Sequence, residues 1–144
     1  MRIAVLNGPN LNVLGQRDPK LYGAQTLDEV EALCRSRCQD KGFELDFFQS
    51  NFEGALVEKI QQCRDAAALI INPGAYTHTS IAIHDALELL TCPIIEVHIS
   101  NIHAREAFRA TSYVSKQATG LIVGLGVNGY ALAIEAAAEL IATS

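Results

Sequence analysis

The sequence has no uninterrupted apolar stretch longer than six residues, Ala66 to Ile71. A membrane-crossing helix needs ~20. Positive charge is scarce as well: 11 Lys and Arg stand against 16 Asp and Glu, a formal charge of −5 with a pI near 5.3. Nucleic acid and anionic membrane surfaces call for a basic patch, so neither is expected as a partner. The start, Met1 to Asn7, has four apolar residues before a polar stop, unlike the apolar region of a signal peptide. A cytoplasmic protein is the expectation. Cysteine occurs at positions 34, 38, 63 and 92 and never as C-x-x-C. Small buried hydrophobes in a reducing compartment fit better than disulfides or metal ligands. The nucleophile signature G-x-S-x-G and the metal spacings H-E-x-x-H and H-x-x-x-H are missing too.

What is present is a core-forming chain. Apolar residues make up 49% of its 144 positions and charged ones 19%. That length suits one domain spanning 1–144, without linker, repeat or low-complexity tract. β-rich runs recur at Ile3–Leu6, Phe43–Phe48, Ala67–Ile71, Ile94–Val97 and Leu121–Val123. Helical spacing lies between and after them: Leu27, Val30, Leu33, Cys34 and Cys38; Leu56, Val57, Ile60 and Cys63; Leu132, Ala133, Ala136, Ala137, Leu140 and Ile141. Thr26 with Glu29, and Ser50 with Glu53, read as capping boxes. Gly42 suits the end of the first long helix, because glycine takes a left-handed conformation cheaply. Five strands, each followed by a helical segment, predict an α/β fold: a doubly wound five-stranded parallel sheet with helices on both faces. The irregular stretch from Gly8 to Gln25 is long enough to suggest an active-site lid.

Ligands of such sheets bind beyond the carboxyl ends of the strands. Polar residues gather there: Asn7 to Asn12, Arg17 and Tyr22 after the first strand, Asn72 to Ser80 after the third, Glu96 to Asn101 at the fourth. Glu96, His98 and Ser100 share one strand face through the period of two. Glu96 needs a partner, since an unpaired buried carboxylate is costly. A buried structural hydrogen bond would satisfy it, and so would orienting His98 as an acid or base; the strand-end position favours the second. His78, Glu96 and His98 are of metal-ligating type, without the spacing. Of the four lysines only Lys20 is near this rim, in a polar loop, which leaves little for Schiff-base chemistry. Gly124 to Gly129 matches G-x-G-x-x-G, yet only 15 residues follow, too few for another strand. A tight final turn is the reading there.

The stretches Gly8-Pro9-Asn10-Leu11-Asn12, Gly15 to Pro19 with Tyr22-Gly23, Gln49 to Gly54, Ile71 to Ser80, Glu96 to Asn101 and Arg105 to Arg109 together resemble the type II 3-dehydroquinate dehydratases, in family order and end to end. The resemblance implies a flavodoxin-like fold, no cofactor or metal, 3-dehydroquinate as small-molecule substrate, and a homo-dodecamer built as a tetramer of trimers. It implies roles as well. Tyr22 corresponds to the general base and Arg17, in the same lid, to the residue that activates it. His98 corresponds to the general acid and Glu96 to its partner. Asn12 corresponds to a residue holding the enolate through a water. Asn72, His78, Ile99, Ser100 and Arg109 correspond to substrate contacts, and Asp85 to a residue reaching a neighbouring subunit's site. Ala110-Thr111 departs from the histidines common in the family.

The implied chemistry removes water from a β-hydroxy ketone through an enolate. A tyrosine has an ordinary pKa of about 10, so holding one ionised at pH 7 costs about 4 kcal/mol. A guanidinium within a few Å recovers roughly 1–4 kcal/mol of that. Without lysine or metal, the enolate depends on fixed dipoles. Two other classes compete: a non-catalytic binder of a polyol or carboxylate, and a flavodoxin-type electron carrier. The Tyr-Arg-His set favours the enzyme.

Overall fold

The computed structural model describes residues 1–16 and 18–144. Five parallel strands form one sheet: β1 (Arg2–Asn7), β2 (Glu44–Gln49), β3 (Ala68–Asn72), β4 (Ile94–His98) and β5 (Gly120–Val123), in the order β2-β1-β3-β4-β5. β3 and β4 are buried along their whole length, which explains why β3 reads as a nearly continuous apolar run and why the buried Glu96 and His98 of β4 stand out. The helices are α1 (Pro19–Tyr22), α2 (Leu27–Asp40), α3 (Glu53–Gln62), α4 (Ile81–Leu87) and α5 (Asn128–Thr143).

Strand alternation sends side chains to two cores. Ile3, Val5, Ile70, Ile95 and Val97 pack with Val30, Cys34 and Cys38 of α2 and Tyr130, Ile134 and Ala137 of α5. Ala4, Leu6, Leu69, Ile71 and Ile94 pack with Leu56 and Ile60 of α3 and Ile83 and Leu87 of α4. The doubly wound flavodoxin-like arrangement is therefore as expected. The four cysteines are free thiols. Among the described residues no helix is long and apolar enough to cross a membrane.

Local signals explain the helix ends. Thr26 caps α2, its hydroxyl accepting from the Glu29 N–H at 3.3 Å. Past the other end, Gly42 sits at φ 81°. Its N–H reaches the Gln39 carbonyl, and the Phe43 N–H reaches that of Cys38, closing a Schellman motif. The second capping box does not form. Ser50 Oγ accepts from the Phe52 N–H at 3.0 Å, a partner nearer in the chain, and α3 starts at Glu53 without a side-chain cap. Two further expectations are corrected. No α-helix follows β4; two 3₁₀ turns, Ile102–Ala104 and Ala107–Ala110, lie there, with Ile102 their one buried residue. No apolar stripe exists to dock a longer helix. In α5, Leu132 is exposed and Tyr130 and Ile134 turn inward.

The stretch between β1 and α2 is not without structure. Leu11–Val13 forms a 3₁₀ turn. α1 begins where Asp18 accepts from the Lys20 N–H at 3.0 Å and Pro19 supplies a preset φ at the first helical position. Two loops meet closely at the carboxyl ends of β1 and β3. A Cβ on Gly8 would collide with the Pro73 carbonyl, and one on Gly74 would stand 3.0 Å from the Pro9 oxygen.

Candidate active site

In the strand order β2-β1-β3-β4-β5, the connections leave the sheet in opposite directions at β1 and β3, and a crevice is expected outside their carboxyl ends. A cavity lies there, spreading toward β4. It is lined by residues that end or follow β1, β3 and β4: Pro9, Asn10, Leu11 and Tyr22; Asn72, Gly74, Ala75 and His78; His98, Ile99, Ser100, Ile102, Arg105 and Arg109.

One wall is built on β4. His98 donates from Nε2 to Glu96 Oε2 at 2.5 Å, both side chains being almost or wholly buried. With Nε2 engaged, Nδ1 is the ring nitrogen left for a ligand. Glu96 also accepts from Ser115 Oγ at 2.6 Å and from Ser112 Oγ at 3.1 Å. Burial pushes the Glu96 carboxyl up. The bonds from His98, Ser115 and Ser112 and the attraction of His98 outweigh that and hold it below the usual range of 4.5. This wall is therefore a fixed negative charge behind an imidazole.

In the same lining, α1 carries Tyr22 inward, and 9% of it is exposed. Arg105 Nη1 donates to the phenolic oxygen at 2.8 Å and to Ser100 Oγ at 3.3 Å. The guanidinium also lies 5.5 Å from the centre of the Tyr22 ring. A cation aimed at a phenolic oxygen is the surrounding that a phenolate needs.

The remaining lining is polar and oriented. His78 donates from Nδ1 to the Thr111 carbonyl at 2.7 Å, which leaves Nε2 for a ligand. Arg109 Nε donates to Glu106 at 2.6 Å, leaving the two-pronged end of the guanidinium for a carboxylate. Asn72 is held from behind by Tyr130 and by the Gly74 N–H.

Of the residues expected at the site, Tyr22, Asn72, His78, His98, Ile99, Ser100 and Arg109 line this cavity, and Glu96 stands directly behind His98. Asn12 is exposed on the turn Leu11–Val13, outside the lining. Asp85 lies on α4 with a side chain 68% exposed, also outside it. Arg17 falls outside the described residues. Arg105, Ser112, Ser115 and Tyr130 carry contacts that the sequence reading gave no role. His78, Glu96 and His98 do not form a metal-ligand group. Among the described residues the one such group is His84, Asp85 and Glu88, at the surface of α4. Gly124 and Gly126 donate to the backbone carbonyls of His98 and Ile99, as a turn closing the β5–α5 connection.

Comparison with known proteins places these features in context. The family model described as dehydroquinase class II matches residues 1–138. A 3-dehydroquinate dehydratase of Cereibacter sphaeroides is 53% identical over 141 residues, covering 97% of this chain and 96% of that protein. One from Variovorax paradoxus is 55% identical over 141 residues, covering 94% and 97%. The crystal structure of type II dehydroquinase from Propionibacterium acnes superposes with a TM-score of 0.92 at 45% identity, covering 96% of each chain. A 3-dehydroquinate dehydratase-like protein from Bifidobacterium longum gives a TM-score of 0.74 at 33% identity, covering 99% of each.

Proposed function

Because this chain belongs to the class II dehydroquinases and, as a lyase of the shikimate pathway, dehydrates 3-dehydroquinate, we propose that it does so by pairing a Tyr22 base with a His98 acid across the cavity they both line. The product is 3-dehydroshikimate. Tyr22, as phenolate, takes a proton from the carbon α to the ketone. The electron pair moves into the carbonyl as an enolate. The enolate then expels the β-hydroxyl, which leaves as water with a proton from His98. The single observation that carries this reading is the division of charge: Arg105 donates to the phenolic oxygen and Glu96 accepts from the imidazole. The phenol thus has a guanidinium donor at its oxygen, and the imidazole has a carboxylate acceptor behind it, the partners a base and an acid of these types call for.

The other residues take supporting roles. Arg109 holds the substrate carboxylate, and Asn72, His78, Ser100 and the Ile99 backbone meet its oxygens. Asn12 helps to hold the enolate through a water, and Arg17 activates Tyr22. Residues 8–25 act as a lid. The four-residue length of α1 supports this, since such a helix does not stand by itself. No lysine imine forms and no metal or cofactor takes part. The assembly is a dodecamer, a tetramer of trimers, in which Asp85 reaches a neighbouring site; its exposure and that of Ile81 on the same helix support a contact there. A cytoplasmic location suits the four free thiols.

The test is an ultraviolet assay for the conjugated enone formed from 3-dehydroquinate, run with a chelator present. Wild type is expected to turn over fully. Tyr22→Phe is expected to lose most of kcat with KM little changed; a kcat near wild type removes Tyr22 as the base. Loss of activity on borohydride treatment with substrate would point instead to an imine.

A further inference from the structure

Tyr130, on the first turn of α5, is wholly buried and carries no role in the reading above. It joins two asparagines that end adjacent strands. Asn7 of β1 and Asn72 of β3 are partners in the parallel register. The Tyr130 hydroxyl donates to Asn7 Oδ1 at 2.6 Å, and Asn72 Nδ2 donates to the Tyr130 oxygen at 2.9 Å. At the far end Asn7 Nδ2 donates to the Phe48 carbonyl at 3.3 Å. At the near end Asn72 Oδ1 accepts from the Gly74 N–H at 3.2 Å.

The direction of this chain is fixed at both ends. A backbone carbonyl can only accept, so Asn7 must turn its NH2 toward Phe48 and its oxygen toward Tyr130. A backbone N–H can only donate, so Asn72 must turn its oxygen toward Gly74 and its NH2 toward Tyr130. Tyr130 has one proton, which goes to Asn7, so its oxygen is the acceptor for Asn72. Burial, against the Asn72 bond, pushes the Tyr130 ionisation upward and keeps that proton in place. Turning the Asn72 amide over would set its oxygen against the Tyr130 oxygen and its NH2 against an N–H. The second Nδ2 hydrogen is then what Asn72 offers to the cavity it lines.

Resting on the proposed use of Asn72 as a substrate contact, we infer that Tyr130 is a positioning residue for the dehydration: through the Asn7–Tyr130–Asn72 chain it fixes Asn72 as an N–H donor to a substrate oxygen. The hydroxyl touches no substrate itself. Its effect passes through one amide, and this separates it from a residue that merely stabilises the fold.

The experiment compares Tyr130→Phe, Asn72→Ala and the double variant by steady-state kinetics with 3-dehydroquinate. Tyr130→Phe keeps the ring and is expected to raise KM about three- to tenfold, as loss of one oriented neutral hydrogen bond does. Its kcat should change less, and its pH profile should keep its shape. Asn72→Ala should lower kcat/KM further, and adding Tyr130→Phe to it should change nothing more. If the two effects multiply, or if Tyr130→Phe keeps wild-type KM while Asn72→Ala is impaired, the role of Tyr130 is refuted and the reading of the site stands. If Asn72→Ala itself keeps wild-type kinetics, the use of Asn72 fails and this inference with it. Should Tyr130→Phe not fold, Asn7→Ala tests the chain from its other end. It removes the acceptor of the hydroxyl proton, so KM must rise and the rise must vanish in the Asn72→Ala background; an unchanged KM refutes the inference.

Discussion

Replacing Glu96 by Gln keeps the shape of the side chain and removes its charge. The carboxylate is wholly buried and accepts three donors: His98 Nε2 at 2.5 Å, Ser115 Oγ at 2.6 Å and Ser112 Oγ at 3.1 Å. A glutamine has one accepting oxygen and must turn an NH2 toward one of these donors. A hydrogen bond to a charged group contributes about 1.5–3 kcal/mol. If the doubly protonated ring needs that much of Glu96 to deliver its proton, kcat falls about 10- to 150-fold, at 1.36 kcal/mol per factor of ten. KM should move less, because Glu96 lies behind His98 and does not line the cavity. The enone assay reads both. A stability difference should accompany the kinetic one, with a pH dependence of known sign. The folded carboxyl titrates below its ordinary value of 4.5. Its contribution is therefore present above that value and is lost as pH falls through the folded one, where the unfolded chain already holds the proton. Urea midpoints of the two proteins should differ at neutral pH and converge in acid. A Glu96→Gln enzyme with kcat within threefold of wild type refutes the charge-balancing role.

Arg105→Met removes the 2.8 Å donor to the Tyr22 oxygen and the contact to Ser100 while keeping an apolar stem. By the same magnitude for a charged hydrogen bond, kcat should fall by about tenfold or more, and a kcat within threefold of wild type would show that Tyr22 does not depend on this guanidinium. Gly8→Ala drives a methyl into the Pro73 carbonyl, with backbone on both sides and no flexible side chain to yield. Overpacking of this kind costs about 1–3 kcal/mol. A urea midpoint equal to wild type would mean that the two loops separate without cost.

The fold was legible where a single segment carried its own signal. β3 announced itself as an apolar run, Cys34 and Cys38 by sharing one helix face, and Gly42 by its place after the helix. Glu96 and His98 followed from the period of two on one strand. Failures came where a nearer partner or a distant one decided. Ser50 had the spacing of a cap, yet the Phe52 N–H two residues on took its hydroxyl. The segment after β4 has no apolar stripe, so the alternation of strand and helix broke there. Ser112 and Ser115 sit in irregular chain, and their hydroxyls gain meaning only because β5 brings that chain back past Glu96. Arg105 belonged to a recognised stretch, but nothing in its spacing tied it to a tyrosine 83 positions away. The resemblance supplied the identities of Tyr22 and Arg109 that composition would have left as ordinary loop residues.

The link between Asn7 and Tyr130 spans 123 positions, and that separation bears on biosynthesis. A ribosome makes β1 first and α5 long afterwards. Until α5 emerges, the amides at the ends of β1 and β3 have no hydroxyl between them, and the sheet face that α5 covers is open to solvent. A truncated nascent chain can pair its early strands, yet it has neither that face covered nor the amide of Asn72 locked. Cover for that face, and the hydrogen bonds that join the ends of β1 and β3 through Tyr130, are thus acquired late in translation rather than growing with the chain.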